Sequence, residues 1–256
     1  MRIIQISDSH IAHDIPLRLQ DLDNCVTAVN AEAPDLVIHT GDITHNGLAK
    51  EYDAARQSLD KLRSPYCVLP GNKDVRTALR NAFHDHPYLT QTGLTQSGLT
   101  QSGLTQTDTD GPAPTGDFIQ YSLEQYPVRL ILIDTLRESA SKGELCQQRS
   151  THLEDMLEQD TTRPVIIFMH HSPFMVQEIP DPYQFHNWQD IEAFESVLSR
   201  YGNIESIYCG HVHRNVEGTI GSLPVHVLSC MATDLRRGEL STEDKTRPFY
   251  RIIDLP

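Results

Sequence analysis

Positive charge is scarce in this 256-residue chain, where 21 Lys and Arg face 35 Asp and Glu for a formal net charge of -14. That balance argues against a nucleic-acid polymer as partner, because such polymers are held by neutralising Lys and Arg. A small phosphate ester stays within reach if bound cations supply the missing charge. Cysteine is sparse too: Cys25, Cys67, Cys146, Cys209 and Cys230 are odd in number, scattered and never in C-x-x-C spacing. They read as buried thiols in a reducing compartment, not as a disulfide framework. No apolar run can span a bilayer; the longest, "VIIFM" from Val165 to Met169, is far too short. "MRIIQIS" lacks the apolar core and cleavage site of a secretory leader, so a cytoplasmic location without membrane contact is expected. A G-x-S-x-G elbow, a P-loop and a G-x-G-x-x-G turn are all missing.

What is present alternates. "RIIQIS", "DLVIHT", "PYCVLP", "VRLILID", "RPVIIFM" and "IESIYCG" are short runs that predict buried strands. Between them, Leu17 to Glu32, Ala49 to Arg63, Arg149 to Glu158 and Asp190 to Tyr201 carry apolar residues at helical spacing. The pattern predicts a layered α/β domain over residues 1–256. "HRNVEGTIGSLPVHVLSC" predicts a hairpin turning near Gly221, and "PFYRIIDL" a closing strand. A low-complexity insertion at about 91–116 contains "QTGLTQSGLTQSGLTQ", a five-residue unit with a lone leucine each time, too short for a solenoid. It reads as a surface insertion or as a cap over a site.

The chemically able residues fall just after predicted strands, the place where open α/β sheets bind ligands. In order they are "SDSHI" with Asp8 and His10, "TGDIT" with Asp42, and "GNKD" with Asn72, Lys73 and Asp74. "MHHSP" with His170 and His171 and "CGHVHR" with His211, His213 and Arg214 complete the series. Side chains two apart share a face only while the chain stays extended; once it turns they can diverge toward neighbouring ions. Asp, His and Asn form a donor set without thiolate, suited to Mn, Fe or Zn. Two such cations about 3.5–4 Å apart can share a hydroxide and clamp a phosphate, and a carboxylate such as Asp42 is the natural bridge. Taken singly, Asp8 could be a turn residue and His170 or His171 a core histidine; five motifs in order make a dinuclear metal site the expectation.

The ordered set D-x-H, G-D, G-N-x-D, H-H and G-H-x-H, from Arg2 to about Cys230, resembles the calcineurin-like metallophosphoesterase superfamily. "ISDSH", "TGDIT", "LPGN", "FMHHSP", "CGHVH" and "LIDTLRESASKGEL" look most like its bacterial cyclic-nucleotide phosphodiesterase and glycerophosphodiesterase branch. The resemblance implies a four-layer α/β/β/α sandwich with two mixed sheets and two divalent or mixed-valence ions. One ion would sit on Asp8, His10, Asp42 and His213, the other on Asp42, Asn72, His170 and His211. His170 is preferred over His171 because it matches the first histidine of the family's H-H-P-P, which leaves His171 behind the ligands or facing substrate. Ser172 replaces the first proline of that motif. The implied reaction is hydrolysis of a small phosphodiester by a metal-bridged hydroxide. Phosphomonoesters remain an alternative, and relatives form dimers and hexamers, so a homo-oligomer is compatible.

One position departs. Where the family usually has a histidine that donates toward the scissile phosphate, this chain has Lys73. An ammonium still stabilises developing negative charge. It is a poor general acid near neutrality unless its pKa is lowered, which would favour good leaving groups. It could also leave a metal-holding sensor or scaffold without turnover. Asp74 either pairs with Lys73 or caps the helix "VRTALRNAF". Lys73, Asp74 and His171 are thus the catalytic candidates, and Asn72, Lys73, His213 and Arg214 the substrate-facing ones. "FMVQEIPDPYQFHNW" is expected to wall the pocket, with Phe174, Tyr183, Phe185 and Trp188 either stacking on a base or forming an oligomer contact or the start of the next helix's buried face.

Overall fold

The computed structural model describes residues 1–90 and 118–255. The pentapeptide insertion lies outside the described residues. Strand β1 (Arg2–Ile6) is a β-branched run with four of five positions buried, as expected of a strand covered on both faces. Helix α1 (Pro16–Glu32) starts with Pro in its first turn and buries Leu22, Cys25, Val26 and Val29, one stripe at helical spacing. Then come β2 (Leu36–His39), α2 (Ala49–Leu59), β3 (Tyr66–Val68), α3 (Arg76–Ala82) and the single turn α4 (Pro87–Thr90). Beyond the insertion lie β4 (Tyr121–Leu123), β5 (Arg129–Ile133), α5 (Gln147–Glu158), β6 (Val165–Met169), α6 (Trp188–Leu198) and β7 (Ile204–Cys209). The hairpin β8 (Val216–Ile220) and β9 (Leu223–Val227) turns at Gly221, whose φ is 55°, and β10 (Arg251–Asp254) closes the chain.

Two mixed sheets result. The first runs β10-β1-β2-β3, with only β10 antiparallel; the second runs β4-β5-β6-β7-β9-β8, parallel from β5 to β9 and antiparallel at both edges. Strand periodicity sets the layers. Leu130, Leu132, Ile166 and Phe168 join the apolar cluster of the first sheet with α1, α2 and α3. Their alternates Ile131, Ile133, Ile167 and Met169 pack instead with Leu153 and Met156 of α5 and Ile191 and Phe194 of α6. The order is therefore α/β/β/α, as expected. Each of those buried side chains contributes about 1.5–3 kcal/mol, so the sheet-to-sheet contact resists sliding. Polar bonds also cross between the sheets: Gln5 Nε2 donates to the Cys209 carbonyl at 2.8 Å, and His170 Nδ1 meets the Thr40 carbonyl at 2.8 Å.

Two elements have no counterpart in the sequence pattern. Strand β4 is three residues long, too short for alternation to register, and α4 is one turn. Helix α2 also stops at Leu59, earlier than the apolar spacing through Arg63 predicts. All five cysteines are free thiols, and four of them are buried. No helix among the described residues is long and apolar enough to cross a membrane.

Candidate metal centre

The loops following β1, β2, β3, β6 and β7 are laced together at one rim. Asp8 N–H donates to the Gly41 carbonyl at 3.0 Å, His10 N–H to the Asp42 carbonyl at 2.9 Å, and Gly210 N–H to the His170 carbonyl at 3.0 Å. Seven described non-glycine residues have a left-handed backbone, and five of them are the expected ligands Asp8, His10, Asp42, His211 and His213, with φ between 45° and 75°. That conformation costs on the order of 1–3 kcal/mol per residue, and it turns each side chain off the strand direction toward the rim. Glycines make the approach close enough. A Cβ on Gly71 would overlap the backbone N and carboxylate of Asp42, and one on Gly210 would overlap Ser7 Oγ.

Asp8, His10, Asp42 and His213 bring one donor atom each within 4.8 Å of one another. Asp8 Oδ1 lies 3.4 Å from His213 Nε2 and 3.7 Å from His10 Nε2, and the two imidazole nitrogens are 3.0 Å apart. D-x-H therefore converges on a single point although its chain turns. H-x-H diverges: His211 gathers instead with His170 and His171. Asp42 stands between the groups. Its Oδ2 is 3.4 Å from His10 Nε2 and its Oδ1 3.5 Å from His170 Nε2. Asn72 Oδ1 is 3.2 Å from the same His170 nitrogen. Asp8 Oδ1 is buried and accepts no hydrogen bond, an orphan that costs free energy unless a cation meets it. Oxygen and imidazole donors on both sides of one carboxylate fit two divalent cations.

The electrostatics agree with that donor set. Burial pushes Asp8 and Asp42 upward, yet the imidazoles beside them prevail, holding Asp8 well below the usual carboxylate range and Asp42 at about 2. Against burial, the carboxylate of Asp42 raises His170 to about 9. Burial and the neighbouring His170 lower His211 to about 3. Anionic carboxylates and neutral imidazoles are the ligating forms; against burial, Asp8 raises His213 as Asp42 raises His170, so at both imidazoles a cation competes with a favoured proton.

The expected catalytic residues separate. Lys73 is exposed, and its backbone N–H donates to Asp42 Oδ1 at 2.7 Å. Asp74 neither pairs with Lys73 nor caps α3, whose N-cap is Val75 without a side-chain bond. It is buried because its carboxylate accepts from Ile43 N–H, Thr44 N–H and Oγ1, Tyr52 OH and Gly71 N–H at 2.9–3.2 Å, pinning the loop after β2 to that after β3. His171 has both ring nitrogens engaged, Nδ1 by Thr135 Oγ1 at 2.8 Å and Nε2 by the Ser141 carbonyl at 3.3 Å. Phe185 is 1% exposed, in the core with α6, so it cannot stack on a base; Tyr183 and Trp188 pack edge to face at 5.0 Å.

Several supporting residues carry no motif signal. Ser7 Oγ donates to Asp8 Oδ2 at 2.5 Å, and Ser9 Oγ meets His39 Nε2 at 2.9 Å. Buried Arg18 binds Asp234 and the His10 carbonyl, while the Leu235 carbonyl meets His213 Nδ1 at 3.1 Å. His45 sits half-buried with its ring edge-on to His10 at 5.7 Å. Only its place two residues after the G-D-I segment points at it.

Residues 1–215 match the family described as calcineurin-like phosphoesterase. The chain is similar to a probable glycerophosphodiester phosphodiesterase, GpdQ, of Arcobacter nitrofigilis, 28% identical over 223 residues and covering 84% of this chain and 72% of that one. It is also similar to the 3',5'-cyclic adenosine monophosphate phosphodiesterase CpdA of Pseudomonas aeruginosa, 23% identical over 265 residues and covering 99% and 85%. Among solved structures, a dimetal phosphatase of Danio rerio shares the fold with a TM-score of 0.66 at 17% identity, over 91% of this chain and 88% of that one. Sequence match and ligand arrangement lead to one conclusion: the chain belongs to the calcineurin-like phosphoesterase family.

Proposed function

We propose that this chain is a metal-dependent phosphodiesterase acting on a small phosphodiester, either a cyclic nucleotide or a glycerophosphodiester. The observation that carries this reading is the Asp42 carboxylate, which turns one oxygen to His10 and the other to His170. Asp8, His10, Asp42 and His213 would hold one cation; Asp42, Asn72, His170 and His211 would hold the other. Mn, Fe and Zn suit this mix of oxygen and imidazole donors. When bound, such a pair neutralises phosphate charge and makes water a competent nucleophile near neutral pH.

The chain's own residues do the rest. Asp42 keeps its charge through the pH range of interest, because its neighbouring imidazoles outweigh burial. Asp74 holds Gly71 and Thr44 together, so that Asn72 and Asp42 face each other across the rim. Thr135 and the Ser141 carbonyl fix the His171 ring behind His211, whose ring centroid is 4.4 Å away. Asn72 and Lys73 face the substrate, and the Lys73 ammonium stabilises negative charge on the phosphoryl and leaving oxygens. Arg214, next to His213, meets the rest of the substrate. The acidic surface opposes nucleic-acid polymers.

The test is a panel assayed with the Mn-loaded protein: bis(p-nitrophenyl) phosphate, p-nitrophenyl phosphate, cyclic AMP and a glycerophosphodiester. Diester turnover that disappears in Asp42→Ala and Asn72→Ala supports the reading. Turnover of the monoester alone would replace it with a phosphomonoesterase, and tight metal binding with no turnover would leave a sensor or scaffold.

A further inference from the structure

Along the segment that directly follows His213, the chain forms a cavity of about 450 Å³. Arg214, Arg237 and Phe249 are among its walls. The cavity is tied to the centre through the backbone. Arg237 N–H donates to the His213 carbonyl at 2.9 Å, and the Leu235 carbonyl meets His213 Nδ1 at 3.1 Å. The 235–238 segment is thus clamped to a candidate ligand, and Arg214 follows that ligand directly. Gly238, at φ +90°, lets the segment lie over Arg214; a Cβ there would be 3.8 Å from Cγ and 4.0 Å from Nη1.

The charges in the cavity are unevenly committed. Glu217 pairs with Arg251 and His226, and Asp244 with Arg247. Glu178 and Glu239, also in the walls, are exposed. The two guanidiniums are different. Neither pairs with a carboxylate among the described residues; Arg237 reaches only the Arg236 carbonyl, at 3.3 Å. Arg214 is half-buried, and its Nε is shut off from water without any hydrogen-bond partner. A buried donor left unmet is costly, and an anion satisfies it best. Arg presents a planar fork that fits a carboxylate or phosphate in two-point fashion.

We infer that Arg214 and Arg237 form a specificity subsite for a second anionic group, carboxylate or phosphate, on one ester arm of the substrate. The inference rests on the phosphodiesterase reading and narrows it. Preferred substrates are phosphodiesters with a charged arm; diesters with plain alkyl or aryl arms are processed less well. The arm leaves the reacting phosphate on the His213 side and ends between the two guanidiniums.

The experiment compares three substrates that share one p-nitrophenyl leaving group. The second arm is methyl, 2-carboxyethyl or 2-phosphoethyl. In the wild-type protein loaded with Mn, a charged arm should raise kcat/KM by at least about tenfold over methyl, mainly through KM. The two charged substrates then show which anion is preferred. An Arg214→Gln/Arg237→Gln protein should lose most of that ratio, and Arg237→Gln alone, at an exposed position, at least about threefold of it. Equal kcat/KM for methyl and charged arms in the wild type, or a ratio that survives both substitutions, overturns the subsite. If no diester is turned over, the phosphodiesterase reading fails separately. The subsite is then judged by sulfate added to an Asp42→Ala protein. A sulfate-dependent rise in Tm that vanishes with the two Arg substitutions supports it, and no such difference overturns it.

Discussion

Gly71→Ala tests the centre's geometry without removing a ligand. The new methyl would sit 2.8 Å from Asp42 Cγ and closer still to its backbone N and Oδ1. Ordinary contact begins at 3.4 Å, so the Asp42 carboxyl carbon must retreat by at least about 0.6 Å, and the backbone contact demands more. Retreat is hard. Asp42 Oδ1 accepts from Lys73 N–H at 2.7 Å, and Gly71 N–H is held by Asp74 Oδ2 at 2.9 Å, so both sides of the clash are fixed. Overpacking of this kind costs about 1–3 kcal/mol of stability. A displacement approaching 1 Å of the carboxylate proposed to bridge the two cations should cost about 100-fold in turnover. The assays are Mn stoichiometry by elemental analysis, diester turnover and thermal unfolding. Gly202→Ala is the control, since a Cβ there meets nothing within 4 Å. A folded Gly71→Ala protein that binds two metals and turns over like wild type would refute the claim that close packing beneath Asp42 sets the centre.

Arg18→Met should weaken metal binding about 10–100-fold by releasing the His10 carbonyl and Asp234 together, while circular dichroism stays native. Unchanged Mn affinity would remove Arg18 from the centre's support. Lys73→His should raise cyclic AMP turnover relative to bis(p-nitrophenyl) phosphate, because the poorer leaving group gains more from a proton donor. A constant ratio would mean that Lys73 does not act on the leaving group. His86, packed among Tyr66, Phe83 and Tyr88, is lowered to about 4, chiefly by burial. The fold therefore keeps it neutral while the unfolded chain takes up a proton below its ordinary value near 6.5. Its contribution is complete above pH 6.5 and is lost as pH falls toward 4, by about 2–3 kcal/mol. Urea unfolding of wild type and His86→Phe between pH 4 and 7 checks this; parallel curves would refute it.

The local chemistry is legible because it is written in short runs. Apolar pentamers rich in Ile, Leu and Val announce β1, β5 and β6, and five ordered Asp, His or Asn placements after strands outweigh the turn or core role each could have alone. Glycines immediately ahead of Asp42, Asn72 and His211 mark tight approaches on the strength of residue type alone. Where one residue type could turn two ways, spacing is silent. Asp74 stands one residue from Lys73 in sequence, yet its carboxylate goes to four donors in two loops and to Tyr52 OH on α2. Phe185 shares an aromatic stretch with Tyr183 and Trp188, and only its place in the second apolar cluster, edge-on to His171 at 5.8 Å, puts it in the core.

By itself the sequence determined which donors exist and which strand each follows. Tertiary structure alone decided which donors meet. His211 and His213 lie two residues apart, yet His213 gathers with Asp8, His10 and Asp42 and His211 with His170 and His171, and Arg214 with Arg237 lines a cavity from segments more than twenty positions apart. The reason is physical. Donor identity is a property of single side chains, whereas convergence depends on how two sheets stack and on backbone conformations that only the assembled core can hold in place.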